Sequence, residues 1–154
     1  MSERAGALNG IRILDLSRVL AGPSCTQLLA DLGADVIKVE RPGVGDETRT
    51  WGPPFIKDVE GGETTESGYY LSANRNKRSV TINIAKPKGA ALVRKMLTGC
   101  DVLIENFRVG GLAKYGLAYD DLKNDFPGLV YCSITGFGQT GPYATRPGYD
   151  MMAQ

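Results

Sequence analysis

Apolar positions along the chain gather in short runs that alternate between two periods. Ile11 to Leu16 (I-R-I-L-D-L) is a β-branched and leucine-rich run, and predicts a buried strand. Gly22 and Pro23 mark a helix start, because proline is tolerated where a backbone N–H has no helical partner. Cys25, Leu28, Leu29 and Leu32 then recur at helical spacing on one predicted face, and Gly33 supplies a stop. Val36 to Val39 predicts the next strand. Such a β-α-β unit has a right-handed crossover, so its strands run parallel.

From Glu40 to Gly68 the periodicity is lost. Glycine, proline, threonine and charge predict one long loop, with Pro53, Pro54, Gly61 and Gly62 as its breakers. Regularity resumes at Val80 to Ile84 (V-T-I-N-I), an alternating strand. Pro87 opens a helix whose stripe is Leu92, Val93, Met96 and Leu97, closed by Gly99. Asp101 to Glu105 and Leu129 to Ile134 predict two further strands. Between them lie a short helical turn at Gly111 to Tyr115 and a helix at Asp120 to Phe126, ended by Pro127. A last helix is expected to begin near Tyr149, with Asp150 in a structural role at its start. Strands alternating with helices predict an α/β fold: a Rossmann-like, mostly parallel sheet with flanking helices. A chain that stops at Gln154, within the first turn of a helix, is expected to be cut there, since one turn cannot hold itself.

Composition narrows the function classes. With 42% hydrophobic and 23% charged residues the chain is of ordinary globular make-up, and no apolar run reaches membrane-spanning length. The net charge of +1 lacks the basic excess of a nucleic-acid binder, while leaving room for a local cluster that takes a small anion. Cys25, Cys100 and Cys132 are widely spaced and odd in number, each in or beside an apolar run; they are expected to be reduced core thiols, not zinc ligands. Histidine is absent, which excludes Ser-His-Asp and Cys-His catalysis within these residues and removes the commonest metal ligand. No metal is expected. Met1 to Gly10 shows no leader pattern, so the expected compartment is cytoplasmic, with mitochondrial as the alternative if a transit segment has been removed.

In parallel α/β sheets ligands bind at the carboxyl ends of the strands. Four stretches leave such ends: Ser17 to Pro23, Glu40 to Gly43, Glu105 to Arg108 and the glycine-rich Gly136 to Pro142. They bring Arg18, Arg41 and Arg108 to one rim, where guanidinium forks suit phosphate oxygens. Asn74 to Arg78 (N-R-N-K-R) reads as a solvated basic turn, and Tyr69-Tyr70 as packing residues. A dinucleotide site would use Glu40 to hold a ribose. However, the first turn is R-V-L-A-G-P, without the glycines of G-x-G-x-x-G that let backbone approach a pyrophosphate.

The blocks D-L-S-R-V-L-A-G-P (Asp15 to Pro23), A-D-L-G-A-D-V-I-K-V-E-R-P (Ala30 to Pro42), Gly45-Asp46 with Thr48-Arg49, and W-G-P-P-F (Trp51 to Phe55) resemble the opening of the class III (CaiB/BaiF-type) coenzyme A transferases. N-R-N-K-R-S, D-V-L-I-E-N-F, S-I-T-G-F-G-Q-T-G-P and G-Y-D continue in the same order. The D-E-T-R-T-W-G-P-P-F stretch is similar to the succinyl-CoA:glutarate CoA-transferase group. The resemblance implies that residues 1–154 are the N-terminal part of a CoA-binding large domain, in a subunit that interlocks with a second copy. It implies CoA contacts at Arg18, Val19, Leu20, Ala21, Arg41, Ile82, Asn83, Asn106, Phe107 and Lys114. Lys114 stands where relatives often carry arginine, keeping the charge but not the fork. Acyl-CoA and carboxylic acid are the implied substrates, with neither nucleic acid nor membrane as partner. The implied nucleophile is an aspartate expected beyond Gln154, so no catalytic residue is assigned within the chain. Tyr149, near the implied active site, stands where the superfamily's racemases carry a histidine base; a phenol with pKa near 10 is a poor one.

Overall fold

A computed structural model describes residues 6–149. Five strands form one all-parallel sheet: β1 (Arg12–Asp15), β2 (Asp35–Glu40), β5 (Lys77–Thr81), β6 (Val102–Glu105) and β7 (Val130–Ser133), in the order β5-β2-β1-β6-β7. A two-stranded antiparallel hairpin, β3 (Phe55–Lys57) and β4 (Glu63–Ser67), stands apart from it. The helices are α1 (Ala21–Asp31), α2 (Gly68–Ser72), α3 (Pro87–Leu97) and α4 (Tyr119–Leu122), with short 3-10 turns at Glu47–Thr50 and Ala113–Tyr115.

The sheet is buried on both faces because side chains alternate along each strand. Ile13, Val36 and Ile104 pack with Ala30 and Ala34 in a core on the α1 side. Leu14, Val39 and Leu103 point the other way, into a core with Val93 and Leu97 of α3 and with Leu112, Leu117 and Leu122. The strand order reverses between β1 and β6. Sheets of this kind bind ligands near such a reversal, at the carboxyl ends of the strands.

Several sequence expectations need correction. Helix α1 does not bury Cys25, Leu28, Leu29 and Leu32 as one face: Leu28 is 62% and Leu32 50% exposed, while Thr26 and Gln27 are buried. Polar contacts set the rotation. Thr26 Oγ1 donates to Asp15 Oδ2 (2.6 Å), and Gln27 bonds the Ser72 carbonyl and the Arg75 N–H. On α3, Val93 and Leu97 are buried and Met96 is half-buried, but Leu92 lies outward.

The stretch 40–68 is not one loop. It carries a 3-10 turn, the hairpin and the start of α2. The hairpin was illegible because E-T-T-E-S is polar and mostly exposed, and only cross-strand pairing makes it a strand. The strand expected at Val80 to Ile84 lies earlier, at Lys77–Thr81, on the sheet edge where charged residues are tolerated. Ile82 leaves the strand for the α3-side core. The helix expected from Asp120 to Phe126 is the shorter α4. The helix expected after Tyr149, with Asp150, lies outside the described residues. Cys25, Cys100 and Cys132 are free and half-buried, as expected of core thiols. Among the described residues no helix is long and apolar enough to cross a membrane.

Candidate nucleotide-binding edge

The loop from β1 to α1 lies at this reversal, and its path depends on close approach. A Cβ on Gly22 would sit 2.2 Å from Ser17 Cβ, so only glycine lets α1 start against this turn. The loop is held from β6: Asn106 Oδ1 accepts the Arg18 N–H (2.8 Å), and Asn106 Nδ2 donates to the Arg18 carbonyl (2.7 Å). The Arg18 guanidinium lies 5.1 Å from the Phe107 ring centroid and pairs with Glu47 at 2.7 Å. Phe107 is fixed in turn by its N–H bonding Glu105 Oε2 at 2.7 Å. Burial pushes the Glu105 carboxyl up, with that N–H pulling the other way, and Ser133 donates to its second oxygen.

Three ion pairs lie beneath this edge, two of them fully buried and the third with a partly exposed arginine. The first joins Asp15 and Lys77 (3.2 Å), whose Nζ also donates to the Pro23 carbonyl and Asn74 Oδ1. Lys77 is thus no solvated turn residue: its side chain is 2% exposed, and desolvation, only partly offset by Asp15, lowers its pKa to about 8. The second joins Lys38 and Asp46 at 2.9 Å. The third is a two-bond fork from Arg49 to Glu40, at 2.7 and 2.8 Å. Burial drives the Glu40 carboxyl upward, but Arg49, Ser79 and the Asp46 N–H outweigh it and hold it at about 2. Tyr70 also donates to Glu40 (3.0 Å) and lies under the Arg49 guanidinium, so it belongs to this network. The available signal was Lys38 itself: a lysine inside V-I-K-V, in a strand covered on both faces, has to be paired.

The network counts against the dinucleotide alternative. Glu40 is 4% exposed and its two oxygens already accept from Arg49, Tyr70, Ser79 and the Asp46 N–H, which leaves no ribose-binding acid.

The residues singled out from sequence fall on loops at one edge of the sheet. Arg18, Val19, Leu20 and Ala21 follow β1, Arg41 follows β2, and Ile82 and Asn83 follow β5. Asn106, Phe107 and Arg108 follow β6, and Lys114 lies in the 3-10 turn beyond. Arg41, Arg108, Asn83 and Lys114 are exposed, whereas Ile82 is buried and donates its N–H to the Glu40 carbonyl. Among the described residues neither Arg41 nor Arg108 enters an ion pair. A cleft opens between the first two loops, lined by Ser17, Arg18, Lys38, Arg41, Asp46 and Glu47 among others. Helix α1 starts beside it without a side-chain cap, and Pro23 in its first turn has no N–H to offer. Tyr149 is 68% exposed at the end of the described chain.

Comparison with known proteins agrees with this architecture. Residues 8–154 match the family model described as CoA-transferase family III. The succinate–glutarate CoA-transferase of Agrobacterium fabrum is 55% identical over 154 residues, all of this chain and 38% of that protein. Human succinyl-CoA:glutarate CoA-transferase is 56% identical over 146 residues, 95% of this chain and 32% of that protein. The chain thus spans about a third of the length of these curated relatives. Among solved structures, a CaiB/BaiF family protein from Brucella suis superposes with a TM-score of 0.88 at 55% identity, over 97% of this chain and 38% of that one. A Mycobacterium tuberculosis protein follows with a TM-score of 0.84 at 38% identity, over 97% of this chain and 39% of its own. With the family's pattern running from residue 8 to the last residue, and relatives more than half identical, this chain belongs to CoA-transferase family III.

Proposed function

We propose that residues 1–154 form the coenzyme A-binding part of a transferase that moves CoA from a dicarboxylic acyl-CoA donor, such as succinyl-CoA, to a carboxylic acid acceptor, such as glutarate. The names of the relatives at 55 and 56% identity support the substrate class. The observation that carries the role of these residues is the β1–α1 loop, clamped by Asn106 at the sheet's switch point with Arg18 lying over Phe107. Arg18, on exchange of its Glu47 partner, and the exposed Arg41 supply positive charge for the phosphates, and the dipole of α1 favours an anion at its start. Phe107, partly exposed, offers apolar surface beside them.

In this reading the covalent step belongs to an aspartate that the resemblance puts beyond Gln154. Its carboxylate attacks the donor thioester carbonyl, and CoA leaves as the thiolate to give a mixed anhydride. The thiolate then attacks the aspartyl carbonyl, releasing the donor acid and leaving an aspartyl thioester. The free thiolate must stay in place between these steps. Binding CoA through its distant nucleotide end secures this, because binding energy far from the reacting atoms holds the reacting end in position. On this reading the chain by itself binds CoA without turning over, and the complete subunit interlocks with a second copy.

The test is calorimetric titration of this chain with CoA, in parallel with NAD. The expected result is CoA binding alone, weakened about tenfold in Arg41→Ala through loss of a charge-assisted phosphate contact. Binding of NAD alone would overturn the reading. Binding of neither would show that the site needs residues outside this chain.

A further inference from the structure

Val19 has φ of +68°, in the left-handed region. For a β-branched residue this is an outlier, which persists only where its surroundings over-determine it. Besides the Asn106 clamp on Arg18, those surroundings include one buried ion pair. The Val19 N–H is shared between the two Asp46 carboxylate oxygens, at 3.3 and 3.2 Å. Asp46 is bridged to Lys38 at 2.9 Å, and both side chains are essentially inaccessible to solvent. Lys38 Nζ also donates to the Ser17 carbonyl at 3.0 Å. The pair thus grips the backbone on both sides of Arg18, at Ser17 through the ammonium and at Val19 through the carboxylate.

Asp46 is itself immobilised. Thr48 donates to its Oδ1 through both N–H and Oγ1, and the Asp46 N–H is bonded to Glu40 Oε2. A buried ion pair is a poor device for stability alone, since an apolar pair of like volume does as well or better. Here each ion also bonds the loop backbone, Lys38 at Ser17 and Asp46 at Val19.

We propose that the Lys38–Asp46 pair is a positioning device for the coenzyme-binding loop, holding Val19 left-handed and thereby fixing where Arg18 and the start of α1 present themselves. Both residues act through the loop backbone, which they bond directly. The inference rests on the CoA-binding reading for its functional consequence, but the strained loop can be tested without ligand.

The experiment compares wild type, Asp46→Asn, Val19→Gly and the double variant of this chain by amide hydrogen exchange and CoA titration. In Asp46→Asn, the Val19 amide should exchange about tenfold faster or more, while amides of Leu14 and Leu103 keep their protection. CoA affinity should fall by about tenfold. Adding Val19→Gly should restore the affinity to within about twofold, because glycine takes this conformation without strain. A merely structural role would instead show as protection lost at Leu14 and Leu103 together with Val19. If Asp46→Asn fails to fold with Lys38 left buried and unpaired, Lys38→Met/Asp46→Asn removes both charges and is read in the same way. Unchanged Val19 exchange, or a double variant that binds no better than the single one, would overturn the inference. If wild type binds no CoA, the functional reading of this chain fails, and the exchange data alone decide whether the pair holds the loop.

Discussion

Glu40 shows how a single acid is committed by its surroundings. Read as part of a β-α-β unit it could serve a ribose, but in the fold it accepts from Arg49, Tyr70, Ser79 and a backbone N–H. Its pKa is held at about 2, against an ordinary 4.5. A depressed carboxylate contributes stability that is fully present above the unfolded pKa and lost as pH falls through the folded one. Glu40→Gln should therefore lower stability near neutral pH by on the order of 3 kcal/mol. The gap between variant and wild type should shrink below pH about 4.5 and close near 2. Urea denaturation at a series of pH values checks this, and a gap independent of pH would refute it.

At the scale of elements, β5 is joined to β1 across β2 by charge as well as through the sheet's ladders. Lys77 reaches from the edge strand to Asp15, which also accepts from Thr26 on α1 and Ser17 on the loop. Lys77→Met would leave that carboxylate buried without a cation, and should cost about 3 kcal/mol. Lys77→Met with Asp15→Asn should recover most of the loss. The Lys77 pKa of about 8 lies below its ordinary 10.5. Between those values the unfolded chain binds more protons, so wild type should gain stability relative to the double variant as pH rises from 8 to 10.5. Chemical denaturation across this range decides it, and a relative loss of stability would contradict the assignment.

For the whole molecule, the unexpected rotation of α1 leaves Leu28 and Leu32 at the surface, with Leu20 and Trp51 also exposed. Exposed leucines near the C-terminal end of α1 are a surface for association. The chain, spanning about a third of its relatives' length, should self-associate in sedimentation experiments. Leu28→Glu with Leu32→Glu should shift it toward monomer without lowering its melting temperature, as both side chains are at least half exposed. A wild-type monomer at high concentration would show that these leucines cover nothing.

What the amino-acid order determined by itself is what rests on local periodicity and on motif order. The strands at residues 11–16, 36–39, 101–105 and 129–134, the helices α1 and α3, the parallel α/β class and the family were all legible, because each depends on neighbours in sequence. So was the edge at which Arg18, Arg41, Asn106 and Phe107 lie, since parallel strands all end on one side. The tertiary structure alone decided the rotation of α1, the polar hairpin, the buried pairs Asp15–Lys77 and Lys38–Asp46, and the Glu40–Arg49 fork. The Asp15–Lys77 partners are 62 residues apart, and a charged side chain shows no sign in its own segment of what will neutralise it. That knowledge comes only when desolvation at the sheet's carboxyl edge makes an unpaired charge intolerable and the fold brings its partner within reach.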